Sequence, residues 1–346
     1  MTFIIPAYNC KDTIVQLLSS FDYEWKDNFE IIIVDDGSTI SFKNKITNFL
    51  GKYPNTIHYI RKENGNWGSV INYVKNYHLV HGHWVKIIDA DDLIYTTNFF
   101  AYLTHLQNSY LREKYDLVIS SFLLEHIKSN NTEFKRVYGA RGKIRYTSVD
   151  KFYNINSIIT HHSISIKKEL FYALVDLPEK STFMDTGLIF QLLLLSKGCV
   201  FLPKKLFLYI YRVGNPNQSI ALRNFIKSKE HIFRLIKFIT KFNINTGISD
   251  KRRRVLQAML KRVIYLIVMI ISVDPNKNSS MHANEILYLK SIIKDNLGER
   301  QSRLLLLSNP FISLIYFRQS KIIKIIYTFT FQRVNWGVFK AIKAGG

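Results

Sequence analysis

Three carboxylates fall within four residues at Asp89-Ala90-Asp91-Asp92, directly after the mainly apolar run Trp84-Val85-Lys86-Ile87-Ile88. Strand side chains alternate between faces, so Asp89 and Asp91 can point the same way. Two carboxylates on one side repel each other unless a cation sits between them. Their oxygens suit hard divalent ions such as Mg2+ or Mn2+, which also take phosphate oxygens as ligands. The pattern points to a metal–diphosphate site at the C-terminal end of a strand. The competing reading is a set of acidic residues that caps the next helix.

Two other strand ends carry polar chemistry. Pro6-Ala7-Tyr8-Asn9 follows the strand Thr2–Pro6, and Asp35-Asp36-Gly37-Ser38 follows the strand Glu30–Asp35. Tyr8 offers an aromatic face to a base, Asp35 can accept from a ring N–H, and Gly37 and Ser38 allow close backbone approach. Each alone is ordinary turn chemistry. Their occurrence at consecutive strand ends weakens that reading. Further along, Asp185 lies at the start of an expected helix Gly187–Leu195, where it can serve as an N-cap or as a general base toward an acceptor hydroxyl. His161-His162 reads as the beginning of a strand, so the two rings face opposite sides and a structural or acceptor-side role is favoured over metal ligation. His81 and His83 flank Gly82 in an exposed turn. The loop Glu63-Asn64-Gly65-Asn66-Trp67 lacks the Gly-Lys-Ser/Thr ending of a phosphate-cradling loop, and Arg61-Lys62 beside it reads as a solvated basic pair.

These residues must be held by a regular frame, and the periodicity supplies one. Strands are expected at Thr2–Pro6, Glu30–Asp35, Thr56–Arg61, Trp84–Asp89 and Asp116–Ser121, with helices at Lys11–Phe21, Trp67–Val80 and Thr97–Tyr110 between them. Ile31-Ile32-Ile33-Val34 is apolar without interruption, as in a parallel strand covered on both faces. This order predicts an α/β fold with a mostly parallel sheet and helices on both faces. In such sheets ligands bind beyond the carboxyl ends of the strands. Glu133–Tyr146 is alternating and basic and is expected to form a hairpin.

Composition narrows the classes. Of 346 residues 47% are hydrophobic, enough for a sizeable core, so a disordered polar chain is excluded. The formal charge is +22, and residues 226–346 hold 22 Lys and Arg against 6 Asp and Glu. Such an excess attracts nucleic acid, an anionic membrane surface or phosphorylated substrates. Ile232, Leu235, Ile236, Ile239 and Phe242 share one helical face, with Arg234, Lys237 and Lys241 on another; the tail mixes lysines and arginines with Phe331, Trp336 and Phe339. Basic amphipathic helices of this kind lie on anionic bilayers. Two domains are therefore expected: 1–220, catalytic, and 221–346, helical, basic and membrane-associating. Cys10 and Cys199 follow no metal spacing, which fits a reducing compartment. No secretory signal is expected at Met1, and the apolar runs Val263–Val273 and Leu304–Phe317 fall short of the roughly 20 residues of a spanning helix.

The blocks Phe3-Ile4-Ile5-Pro6-Ala7-Tyr8-Asn9, Ile32-Ile33-Val34-Asp35-Asp36-Gly37-Ser38 and Ile87-Ile88-Asp89-Ala90-Asp91-Asp92 together resemble the three signature blocks of family 2 glycosyltransferases, in order and separation. The resemblance is strong over residues 1–100 and continues to about 225. It implies a GT-A fold, a nucleotide-sugar donor, Mn2+ or Mg2+, and inversion at the anomeric carbon. It further implies a donor site built from Pro6, Ala7, Tyr8, Asn9, Asp35, Asp36, Gly37, Asn64, Gly65, Asn72, Asp89 and Ala90, with Asp89 and Asp91 at the metal and Asp91 favoured over Asp89 as the direct ligand. Many members carry Ala-Arg-Asn where this chain has Val70-Ile71-Asn72. Arg212, Gln218 and Ser219 match a segment that folds over the donor diphosphate, and Asp185 matches the usual base.

The expectation is an inverting hexosyltransferase using a nucleotide sugar, with UDP as the nucleotide. It would act on a lipid-linked or saccharide acceptor in cell-surface polysaccharide synthesis, in the cytoplasm on the inner face of the plasma membrane. A sugar-nucleotide nucleotidyltransferase would need a Gly-rich basic loop after the first strand, which Pro6-Ala7-Tyr8-Asn9 is not. A non-catalytic membrane or nucleic-acid binder is the other class; no nucleic-acid motif accompanies the charge, so no nucleic acid partner is expected.

Overall fold

Strand β1 (Thr2–Ala7) is covered on both faces, and the uninterrupted apolar run of β2 (Glu30–Asp36) is buried at every position. The computed structural model describes residues 1–127, 131–135, 144–148, 159–214, 228–244, 246–273, 288–289, 291–292 and 294–296. The chain divides into two compact units, Met1–Val213 and Gly214–Gly346.

In the first unit β1 lies between β2 and β4 (Trp84–Ile87), parallel to both, and β3 (Ile57–Lys62) extends the parallel set beyond β2. The remaining strands of this sheet are β6 (Leu117–Ile119), β9 (Arg145–Ser148), β10 (Ile164–Lys167) and β11 (Gly198–Phe201), giving the order β3-β2-β1-β4-β10-β6-β11-β9. Strand β10 enters between β4 and β6 and runs antiparallel to both. This insertion delivers residues just before Ile164 to the carboxyl end of β4. A smaller sheet joins β5 (Leu93–Ile94), β12 (Tyr209–Val213), β7 (Phe122–His126) and β8 (Asn131–Lys135), in that order.

One sheet face packs Phe3, Ile5, Ile31 and Ile33 with Leu17 and Leu18 of α1 (Ile14–Ser19) and Phe99 and Leu103 of α4 (Phe99–Leu106). Helix α3 (Asn66–Asn76) lies against β1 and β2 and buries Val70 and Val74. Two short helices, α2 (Thr47–Lys52) and α5 (Ser109–Lys114), fill connections; α6 (Lys168–Tyr172) and α7 (Met184–Leu195) follow β10.

Some expected elements differ. The single helix over Thr97–Tyr110 is two, because the chain turns at Gln107-Asn108 and Asn108 caps α5 through its side chain. The expected Glu133–Tyr146 hairpin is not formed by its described ends: β8 pairs with β7 in the small sheet, and β9 pairs with β11 in the large one. Cross-strand pairing outweighs local alternation there.

In the second unit α8 (Lys229–Ile239) buries Ile232, Leu235, Ile236, Phe238 and Ile239 and packs against α9 (Asp250–Val273); Arg234, Lys237 and Lys241 lie on the exposed side. No helix among the described residues is long and apolar enough to cross a membrane. The basic and aromatic residues of the tail beyond 296 lie outside the described residues.

Candidate active site

Asp89 emerges from the end of β4, two residues past the strand, with its side chain 26% exposed. Its Oδ1 accepts from the indole Nε1 of Trp67 at 3.1 Å, and its Oδ2 lies 3.0 Å from His161 Nε2 and 3.6 Å from His162 Nε2. The two histidines are not on a strand. His161–Ser163 is a single 3-10 turn ahead of β10, closed by Ser163 N–H and Oγ on the Thr160 carbonyl. Side chains of a tight turn are not forced to alternate as strand residues are, and the two rings lie 3.9 Å apart, both toward Asp89. The expectation that they diverge is therefore corrected.

Asp185 reaches this group from α7. The helix opens at Met184, so Asp185 lies in the first turn and not at the cap; the cap position is Phe183, in the left-handed region at φ 62. A carboxylate in the first turn is favoured by the helix dipole. Asp185 Oδ2 is 3.8 Å from His161 Nδ1, too long for a hydrogen bond but close for charges, and the side chain is 36% exposed.

The electrostatics follow from this packing. Burial pushes the Asp89 carboxyl up, but the His161 and His162 contacts override it and hold Asp89 well below the usual carboxylate range. Burial likewise lowers His161, and the Asp89 and Asp185 charges reverse this and raise it to about 10. His162, buried and beside the His161 charge, falls to about 4. The two imidazoles are thus pushed in opposite directions. Lys86 lies fully buried beneath them and donates to the carbonyls of His162 at 2.9 Å and Ile164 at 3.3 Å, pinning the histidine turn to β4; burial lowers it to about 7.

Asp92 has a different task. It is buried, accepts from Tyr209 Oη at 2.5 Å and from the Arg212 backbone N–H at 2.7 Å, and so ties the acidic loop to β12. Tyr209 Oη also receives the Asp89 N–H at 3.1 Å. Burial first, then the Asp89 and Asp91 charges, raise the Asp92 carboxyl well above its ordinary value.

The other expected site residues divide in the same way. Tyr8 is 51% exposed at the end of β1, so its ring is open to a ligand. Pro6 and Ala7 pair with Val34 and Asp35 across the strands. Asn9 receives the N–H and hydroxyl of Thr39 on its Oδ1, each at 2.9 Å. Asp35 is fully buried and accepts from Ser38 N and Tyr59 Oη, both at 2.8 Å, with Arg61 at 3.6 Å. Asp36 Oδ1 accepts from Lys62 Nζ at 2.7 Å and Gly65 N at 3.0 Å, and Asn64 Nδ2 donates to the Asp36 carbonyl at 2.8 Å. Arg61 and Lys62 are thus engaged with the Asp35-Asp36 turn, contrary to a solvated pair. Gly37 allows that turn: its φ is +71, and a Cβ would lie 2.7 Å from Asn64 N. Ala90 is buried. Arg212 donates to Glu125 at 2.9 Å and Gln16 at 2.8 Å. Asn72 faces the segment before α7: its amide donates to the Leu177 carbonyl and accepts the Leu177 N–H, both at 2.8 Å. Gln218 and Ser219 lie outside the described residues.

The group of possible metal ligands among the described residues is Asp89, His161 and His162, whose ligand atoms lie within 4.8 Å of one another; Asp91 is not among them. The donor set fits a divalent ion, since His162 Nε2 is buried beside Asp89 Oδ2 without a hydrogen-bond partner. Trp67 and Lys86 were not singled out by local pattern, and the histidine pair was noted but read as facing opposite sides. The signals were an indole at the start of a helix beside a Gly loop, a Lys inside an apolar strand, and a His-His dipeptide.

Carboxylates, imidazoles and an open aromatic ring thus gather around the ends of β1 and β4 of an α/β sheet. The description "Glycosyl transferase family 2" matches residues 2–174, and the chain belongs to this family. Its fold is the α/β GT-A fold. Over 191 residues it is 36% identical to the uncharacterized glycosyltransferase MG025 of Mycoplasma genitalium, covering 53% of this chain and 58% of that one. A 93-residue stretch is 30% identical to the minor teichoic acid biosynthesis protein GgaB of Bacillus subtilis, covering 26% of this chain and 10% of that one. The match thus spans little more than half the length of MG025. Among solved structures, S. aureus TarS 1–349 superposes with a TM-score of 0.63 at 17% identity, covering 93% of this chain and 88% of that one; one such structure is a complex with UDP-GlcNAc.

Proposed function

We propose that this chain is an inverting glycosyltransferase that moves a hexose from a UDP-sugar to a lipid-linked or saccharide acceptor in cell-surface polysaccharide assembly. The observation that carries this reading is the convergence of Asp89, the histidine pair and Asp185 at the edge where Tyr8 is open. Tyr8 stacks on the base, and Asp35 and Gly37 shape the nucleoside wall. Asp185 takes the proton of the acceptor hydroxyl as that oxygen attacks the anomeric carbon and the bond to the diphosphate breaks. A divalent ion held at Asp89, when bound, offsets the charge of the departing diphosphate. Trp67 and Lys86 keep Asp89 and the histidine turn in place. The TarS complex with UDP-GlcNAc supports the uracil choice, and the GgaB match supports a polymer pathway.

We assign donor and acceptor chemistry to residues 1–220, and contact with an anionic membrane face to the basic helices of 221–346. The exposed side of α8 is the basic one, so this contact is electrostatic and weakens with salt. A nucleotide-release screen over UDP-, GDP- and dTDP-sugars, with and without Mn2+, tests the donor. Release confined to UDP-sugars is expected; none from any would sink the reading. Asp185→Asn is expected to bind UDP normally and to lose transfer by at least 100-fold, whereas normal transfer would remove Asp185 as the base.

A further inference from the structure

Asp89 and His162 each have one polar atom held elsewhere, and His161 adds its Nε2 on the same carboxylate. Asp89 Oδ1 is held by Trp67 Nε1 at 3.1 Å, which leaves Oδ2. His162 Nδ1 lies 3.2 Å from Thr160 Oγ1, which leaves Nε2, buried and without a hydrogen-bond partner. His161 Nδ1 faces Asp185 Oδ2 at 3.8 Å without a hydrogen bond, and its Nε2 turns to Asp89 Oδ2. The three remaining atoms meet: Oδ2 is 3.0 Å from one Nε2 and 3.6 Å from the other. An ion bound at about 2.1 Å spaces its neighbouring ligands by roughly 3.0 Å in octahedral and 3.4 Å in tetrahedral geometry. A hydrogen-bonded ion pair accounts for His161 but not for the orphaned Nε2 of His162.

We propose that His161 and His162 ligate, through their Nε2 atoms and together with Asp89 Oδ2, the divalent cation of this site. The result is a mixed imidazole–carboxylate centre that prefers Mn2+, Co2+ or Zn2+ to Mg2+. The inference rests on the donor-edge reading above. Imidazole nitrogen is a softer donor than carboxylate oxygen, and Mg2+ favours all-oxygen surroundings and keeps its waters. Thr160 takes the outer position that fixes the ring orientation of a metal-bound histidine, and Asp185 faces the corresponding nitrogen of His161 as a nearby charge. The proton on His161 and a metal ion compete for one lone pair. Through His161 the metal centre stands next to the base, so both reacting ends of the site are aligned by one side chain.

The test is pulsed electron paramagnetic resonance of Mn2+ bound to the full chain, with and without UDP. The expected spectrum carries 14N modulation from two imidazoles. His162→Gln reduces it to one imidazole and weakens Mn2+ binding at least tenfold, and Asp91→Asn leaves it intact. One equivalent of Co2+ or Zn2+ displaces the Mn2+, whereas a tenfold excess of Mg2+ does not. Bound Mn2+ with no 14N modulation in the unsubstituted protein overturns the proposal, as does no binding at 1 mM Mn2+ in either condition. Because the spectrum of the unsubstituted chain already decides, misfolding of a variant cannot mask the answer. Loss of 14N modulation together with UDP-sugar-specific release would reject the histidine ligands and leave the glycosyl transfer reading standing.

Discussion

Replacing Asn72 with Ala separates two roles for this residue. The family resemblance puts Asn72 at the donor, whereas its amide grips both backbone groups of Leu177 at 2.8 Å and reaches Glu179 Oε1 at 3.3 Å. The same helix holds the segment elsewhere: Lys75 Nζ donates to the Leu174 carbonyl at 2.7 Å and pairs with Asp176, and Lys180 N–H donates to the Gly65 carbonyl at 2.6 Å. This segment ends at Phe183 and sets where Asp185 begins its helix. Leu177 is buried, so Asn72→Ala leaves one N–H and one C=O unsatisfied, each costing about 1–2 kcal/mol, for a total near 2–4 kcal/mol. At about 2–4 °C per kcal/mol the melting temperature falls by roughly 5–15 °C. Below the melting range, UDP affinity measured by calorimetry stays within about twofold, and kcat falls with the loosened Asp185. An unchanged melting temperature combined with a tenfold loss of UDP affinity would refute the clamp and restore the donor contact.

Three further outcomes follow from packing away from the reacting groups. Glu30 is pushed up by burial but held below its ordinary range by the Thr2 hydroxyl and by His81 and Gly82 N–H donors. Its stabilisation is therefore complete above the unfolded value of about 4.3 and is lost as pH falls through the folded one. Urea midpoints of wild type and Glu30→Gln should converge below pH 4 and differ most above pH 6; parallel curves would contradict this. Gly68→Val puts a Cβ 3.0 Å from the Pro178 carbonyl and 3.2 Å from Leu177 Cβ, so about 1–3 kcal/mol of destabilisation is expected on chemical denaturation. Burial pushes the Cys10 thiol up to about 12 and Cys199 is equally enclosed, so neither should react with a thiol reagent until the chain unfolds.

The frame was legible because its signals are local. Ile31-Ile32-Ile33-Val34 can only be a strand covered on both faces, and Asp35-Asp36-Gly37-Ser38 carries the left-handed turn that Gly37 makes. The position of β10 between β4 and β6 was not legible, since it depends on pairing between residues about 80 apart. That insertion is also what brings His161 and His162 to Asp89. Period-2 reasoning failed for them because a tight turn, and not the strand, holds both rings.

The carboxylates show the same limit more sharply. Asp35-Asp36 and Asp91-Asp92 look alike as acidic pairs at strand ends, and the pattern offers all four to a ligand. Asp35, Asp36 and Asp92 are engaged by the fold itself. Asp35 closes its own turn with Ser38, Asp36 anchors the Lys62–Ser69 loop, and Asp92 ties Tyr209 and Arg212 to the acidic loop. Asp36 and Asp92 do so with partners supplied by other segments, so no local rule could assign them. Asp89 differs because its distant partners, Trp67 and two histidines, leave one oxygen and one orphaned nitrogen converging on the same point. Buried polar atoms without partners cost free energy in the empty fold. The orphaned His162 nitrogen, 3.6 Å from Asp89 Oδ2, is the physical reason to seek the bound cation there.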